Sequence, residues 1–118
     1  MAVADFVKAL DRTQEIDLGT VGRVSGQETT RPVWFVREND TVYLMPITGA
    51  DSQWYRNVLQ TPTLHLAAGG VEVEVEGRPI TDLKGVRHVA DGFRAKYGAD
   101  DVAKHYRDPE VAIEAPLH

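Results

Sequence analysis

The residues with chemistry to offer gather between Gly22 and Asn57. Gly22-Arg23-Val24-Ser25-Gly26 is a basic turn bracketed by glycines. The Arg23 guanidinium, the Ser25 hydroxyl and the backbone N–H groups up to Gly26 form a set that could receive an anion. Arg31, just ahead of Pro32, joins that set if the strand register turns it the same way. Further on, Ile47-Thr48-Gly49-Ala50 runs into a helix start, where unpaired N–H groups and the positive dipole end favour phosphate. Gly49 lets backbone approach a ligand closely. Trp34, Trp54 and Tyr55 could stack on a ring system, although Trp54 and Tyr55 also read as the buried stripe of a helix. The combination suits a flat, phosphorylated ligand held between sheet and helix.

Other polar groups suggest less. The four histidines, His65, His88, His105 and His118, lack metal-ligand spacing such as i, i+4 on one helix. His65 lies between Leu64 and Leu66, so in a strand it faces opposite to both, towards solvent. Glu72, Glu74 and Glu76 form a ladder on one strand face, not the pocketed pair of acid/base catalysis. No nucleophile elbow, Walker loop or dinucleotide fingerprint is present. With no cysteine, thiolate catalysis, disulfides and cysteine-held metals are excluded. No acid or base is singled out, and no metal site is expected.

The elements that must position these groups follow from periodicity. Val3, Phe6, Val7 and Leu10 predict an amphipathic helix within residues 1–12. Thr13 to Val21 alternates as a half-buried strand, with Ile16 and Leu18 on one face. Thr30–Arg37 and Thr41–Met45 read as a hairpin around Glu38-Asn39-Asp40. Asp51 or Ser52 caps a helix carrying Trp54, Tyr55, Val58 and Leu59, which stops near Pro62. Thr63–Ala68 and Val71–Glu76 form a second hairpin around Gly69-Gly70. Helices over Asp82–Tyr97 and Asp100–Tyr106 precede a last strand, Val111–Ala115. Short antiparallel strands of this number curl and close to remove their edges. The expectation is a mainly β (α+β) fold: a six-stranded antiparallel barrel with flanking helices.

At 118 residues one domain is expected over 1–118, with the helix in 1–12 and barrel and helices in 14–116. A domain of this size can bury a stable core without disulfide or metal. The formal charge of −5 argues against nucleic acid as a partner, which needs a cationic face. No membrane-length apolar run or signal pattern is present, and a cytoplasmic location is expected.

Taken together, these residues resemble the flavin- and deazaflavin-binding split β-barrel superfamily. That group includes pyridoxamine-phosphate-oxidase-like proteins and deazaflavin-dependent nitroreductases. The likeness rests on Gly22-Arg23-x-Ser25-Gly26, Pro32-Val33, Tyr43-Leu44, Gly49, Trp54-Tyr55-x-Asn57 and Pro62-x-Leu64. Phe93-x-x-Lys96-Tyr97-Gly98 is similar to an uncharacterised branch of the same group.

The resemblance implies a split-barrel homodimer binding FMN or a deazaflavin in a groove. It implies reduction of a small unsaturated, quinone or nitro compound by hydride transfer. Carried over, Arg23, Ser25 and Gly26 mark one phosphate turn, Arg31 adds a charge, and Thr48, Gly49 and Ala50 mark the second. Trp34, Trp54 and Tyr55 then line the ring. Three departures count against the cofactor. Val24 stands where a lysine usually follows the arginine, Ile47-Thr48-Gly49-Ala50 replaces Ser-Lys-Gly-Gly, and Thr29 replaces a further basic residue. Each lost charged contact is worth roughly 1.5–3 kcal/mol. The alternative is a split barrel without redox work, binding another small ligand or serving as a structural dimer.

Overall fold

Eight strands in two antiparallel sheets replace the expected six-stranded barrel. The computed structural model describes residues 2–106 and 109–117. In chain order the elements are α1 (Ala2–Leu10), β1 (Glu15–Val21), β2 (Glu28–Trp34), β3 (Val36–Glu38) and β4 (Thr41–Leu44). After a short 3-10 turn, Gly49–Asp51, come α2 (Gln53–Gln60), β5 (Thr63–Ala68), β6 (Val71–Glu76) and β7 (Arg78–Ile80). Then follow α3 (Leu83–Tyr97), α4 (Ala99–His105) and β8 (Ala112–Pro116). One sheet runs β2-β1-β5-β6 and the other β3-β4-β8-β7. His118 lies outside the described residues. Among the described residues no helix is long and apolar enough to cross a membrane.

Two features turn six predicted strands into eight. The predicted strand Thr30–Arg37 is interrupted at Phe35, and its two parts join different sheets. β2 pairs with β1 in the register Glu15 to Trp34 through Val21 to Glu28. Only β3 pairs with β4, as Val36 to Tyr43, Arg37 to Val42 and Glu38 to Thr41. The expected hairpin is therefore confined to its last few residues. The other addition is β7, three residues around Pro79, too short to show a period.

The break at Phe35 carries a cost that α3 offsets. A residue between two ladders leaves its N–H and C=O without strand partners, and unpaired buried backbone groups are expensive. Phe35 N–H donates to the Tyr97 hydroxyl oxygen at 3.0 Å. Lys96 Nζ donates to Phe35 O at 2.9 Å, and the Tyr97 hydroxyl lies 2.9 Å from the same oxygen and 2.7 Å from Gln14 O. The Phe35 side chain is buried in the main core. The last turn of α3 thus closes the open backbone where the chain crosses between sheets.

Two apolar clusters result. Ile16, Leu18, Leu64 and Leu66 of one sheet meet Val42, Leu44, Ile113 and Ala115 of the other, with Phe6 and Leu10 of α1 and Val58 of α2. A second cluster joins Val89, Ala90 and Phe93 of α3 to Met45, Val102, Tyr106 and Ala112. Gly98, at φ +94°, ends α3 and begins α4, a backbone region that favours glycine. One residue therefore sets the turn between the two helices.

The outer face of the first sheet carries an ion network. His65 on β5 bridges Glu74 on β6, Nε2 to Oε1 3.0 Å, and Glu28 on β2 through Nδ1. β1 lies between His65 and Glu28, and the reach is open because its nearest residue is glycine. A Cβ at Gly19 would come within 2.9 Å of Glu28 Oε1. Hydrogen bonds to Glu74 and then Glu28 raise the His65 pKa above 6.5, outweighing desolvation.

Two outcomes follow. Tyr97→Phe removes the partner of Phe35 N–H and should cost about 1–3 kcal/mol of unfolding free energy in urea titration. For His65 the folded pKa is the higher, so its stabilisation is full below the unfolded value of 6.5 and is lost as pH rises through the folded value. Denaturation midpoints from weakly acidic to weakly basic pH should fall more for the native chain than for His65→Gln.

Candidate functional site

Trp34, the last residue of β2, begins the site. Its ring stacks on Tyr97, centroids 4.1 Å apart and planes at 8°. His105 approaches it at 4.7 Å and Tyr106 at 6.1 Å. The indole is therefore a fixed wall, because the residue that closes the strand break also supports it. Across from it, Pro46 ends the second sheet's β4 segment and the chain turns through Thr48 and Gly49 into α2. Ser52 caps this helix, its Oγ accepting from Tyr55 N–H at 3.5 Å.

Between these walls lies a cleft of about 690 Å³. Trp34, Met45 and Trp54 supply apolar surface, and Arg31, Thr48 and Gln53 supply polar groups. Glu15 and Asp51 add acid, and His105 and Tyr106 line it beside Trp34. Trp54 is mostly core but still lines the cleft.

The loop before α2 already holds an anion from the same chain. Ala50 N–H donates to Glu110 Oε1 at 3.2 Å. Gly49, at φ +66°, packs so closely that a side chain there would run into the Glu110 carboxylate. This is the chemistry expected of an anion seat: a loop amide ahead of α2 that donates to a carboxylate, and a glycine that admits close approach.

Of the ten residues singled out from sequence, Arg31, Trp34, Thr48 and Trp54 line this cleft, and Gly49 and Ala50 belong to its loop. The other four sit elsewhere. Tyr55 is buried in the main core, and burial first, then Glu110, raises its phenol pKa. Arg23 is committed to α2: Nη1 donates to Asn57 Oδ1 at 2.9 Å and Nη2 to Gln53 Oε1 at 2.8 Å. It reaches the cleft only through Gln53. Ser25 Oγ accepts from Gln27 N–H at 3.2 Å, and Gly26 N–H donates to Gly22 O at 2.8 Å, so these serve the turn.

Sequence reasoning did not reach Met45, Gln53, His105, Tyr106 or Glu110. Tyr106 and His105 approach Trp34 through the packing of α4, which no local pattern encodes. Asn57 carried a signal: a polar residue in a helix stripe, buried and paired with Arg23.

The two-sheet arrangement is the fold of solved split-barrel proteins. A candidate 5-nitroimidazole antibiotic resistance protein from Bacteroides thetaiotaomicron superposes with TM-score 0.75 at 16% identity, over 97% of this chain and 78% of that one. An F420-H2 dependent reductase gives 0.68 at 19% identity, over 86% and 93%. A candidate pyridoxamine 5'-phosphate oxidase from Listeria innocua gives 0.72 at 14% identity, over 100% and 95%. At these identities the likeness establishes fold alone.

Within this class the chain belongs to the family described as an uncharacterized protein conserved in bacteria (DUF2255), whose model matches residues 6–115. No curated protein matches the sequence.

Trp34→Ala should remove the stacked wall without opening the main core. Near-ultraviolet circular dichroism should lose its strongest aromatic band while the far-ultraviolet spectrum is kept. The loss of one stacked pair should cost about 0.5–1.5 kcal/mol beyond the area no longer buried.

Proposed function

We propose that the cleft beside α2 binds a flavin or deazaflavin and that the protein reduces a small unsaturated, quinone or nitro compound. The observation that carries this reading is the Glu110 carboxylate on Ala50 N–H, beside Gly49. It marks a place where a negative group is received, on the loop whose Thr48 and Asp51 line the cleft. A phosphate there would take over the contact of Glu110, with Arg31 and Thr48 among the residues that line the neighbouring cleft. When bound, the cofactor supplies the hydride; the chain supplies position and electrostatics.

The reading includes a homodimer. β2 is an edge strand whose residues Glu28 to Arg31 are exposed, so the cleft has an open side that a second copy could complete. It also includes the single-domain organisation and cytoplasmic location expected from sequence.

A second reading, a split barrel that binds another small ligand without redox work, is supported by how the charges are used. Arg23 is spent on Asn57 and Gln53, Glu110 occupies the Ala50 amide, and Glu15 and Asp51 line the cleft with acid.

Titration of the protein with FMN, and separately with a deazaflavin, separates the two by fluorescence quenching. The first reading expects binding at micromolar concentration, tightened about three- to tenfold by Glu110→Gln, since 1.4 kcal/mol is one factor of ten. Absence of binding by both native and variant chains would leave the second reading.

A further inference from the structure

On the other side of the Phe35 crossing lies a second cleft, of about 670 Å³, between the end of α1, β3 and α3. Leu10, Phe35, Val36 and Val89 give it an apolar wall. Each carboxylate that lines it has a basic partner. Asp11 meets Arg37 Nη2 at 2.8 Å, Glu38 meets His88 at 2.5 Å, and Asp91 meets Arg94 at 2.9 Å.

One cation is left over. Among the described residues Lys96 forms no ion pair. Its Nζ lies 3.3 Å from the centroid of the Phe35 ring and donates to Phe35 O at 2.9 Å. A ring face and a carbonyl oxygen both favour the charged ammonium, and neither neutralises it. An ammonium has three donors, and among the described residues one hydrogen bond draws on them. Arg37 beside it is also short of acceptors, because its Nε is buried with no hydrogen-bond partner.

The cleft thus joins an apolar wall to an ammonium without a counter-ion. The matching guest has an apolar body that ends in one carboxylate. A phosphate or a dicarboxylate would bring a further negative charge towards Asp11, Glu38 and Asp91, so a single charge fits best.

We propose that this cleft binds a small monocarboxylate, aromatic or branched aliphatic, whose carboxylate pairs with Lys96 Nζ and whose apolar body packs on Leu10, Val36 and Val89. If Lys96 turns towards the guest, the Tyr97 hydroxyl remains 2.9 Å from Phe35 O to serve it. The site does not depend on what the main cleft holds.

The test titrates the full chain with benzoate and follows backbone amide chemical shifts, with benzamide as the neutral match in shape. Benzoate should shift Val36, Val89 and Gly92 saturably at millimolar concentration, as its few atoms allow. Benzamide should bind at least about fivefold more weakly, since only the carboxylate pairs with the ammonium. Lys96→Gln, with its fold checked by circular dichroism, should lose the same factor, and Lys96→Arg should recover most of it. Equal affinity for the two probes, shifts confined to Thr48 and Gln53 of the main cleft, or no saturable shift would overturn the proposal. So would unchanged benzoate affinity in a folded Lys96→Gln chain. The comparison of benzoate with benzamide needs no substitution, so it decides the matter even where a variant fails to fold.

Discussion

A backbone that leaves one sheet and enters another must do something with the peptide groups in between, and here that demand falls on Phe35. Its N–H and C=O are closed by Tyr97 and Lys96, both from the last turn of α3. Much else follows from that closure. Holding Tyr97 against the strand puts its ring under Trp34, and Trp34 is a wall of the main cleft. Holding Lys96 there puts an amine on an aromatic face in the second cleft. The sequence stretch Phe93-x-x-Lys96-Tyr97-Gly98 has its physical account in these contacts, with Phe93 in the second apolar cluster and Gly98 turning the chain into α4.

The electrostatics of the loop beside the main cleft point two ways. A loop amide beside Gly49 receives a carboxylate, which is what a phosphate seat requires. The carboxylate is the chain's own, and the arginine expected to reinforce the seat is hydrogen-bonded to α2. On the proposed reading an incoming anion would have to displace Glu110, and its net affinity would be the difference between two similar contacts. Against the pattern that the family resemblance implies, Val24, Thr29 and Thr48 each stand where a basic residue is expected.

Much of the fold was legible because burial writes a period into sequence. Val71, Val73 and Val75 against Glu72, Glu74 and Glu76 gave β6 its limits, and α2 and α3 showed their caps and stripes. The break at Phe35 was not legible. Residues on both sides are β-branched or aromatic, and the cause is a hydroxyl on a helix far along the chain. β7 escaped because three residues around a proline carry no alternation. In the site, the glycine of the second loop and the indoles of Trp34 and Trp54 could be read from type and position. The assignment of Arg23 to α2 depends on Asn57 and Gln53 having side chains of the right length one helical turn apart, a matter of register between elements. Glu110 had no local signal at all.

The two clefts lie on opposite sides of a partition that is one peptide thick. Trp34 faces one, Phe35 borders the other, and the same pair of α3 side chains braces both. Pressure on the indole from a guest in the first space must be borne by the Tyr97 ring, and with it by the hydrogen bonds that hold Lys96 in the second. A coupling carried across this joint would, by thermodynamic reciprocity, be the same in either direction.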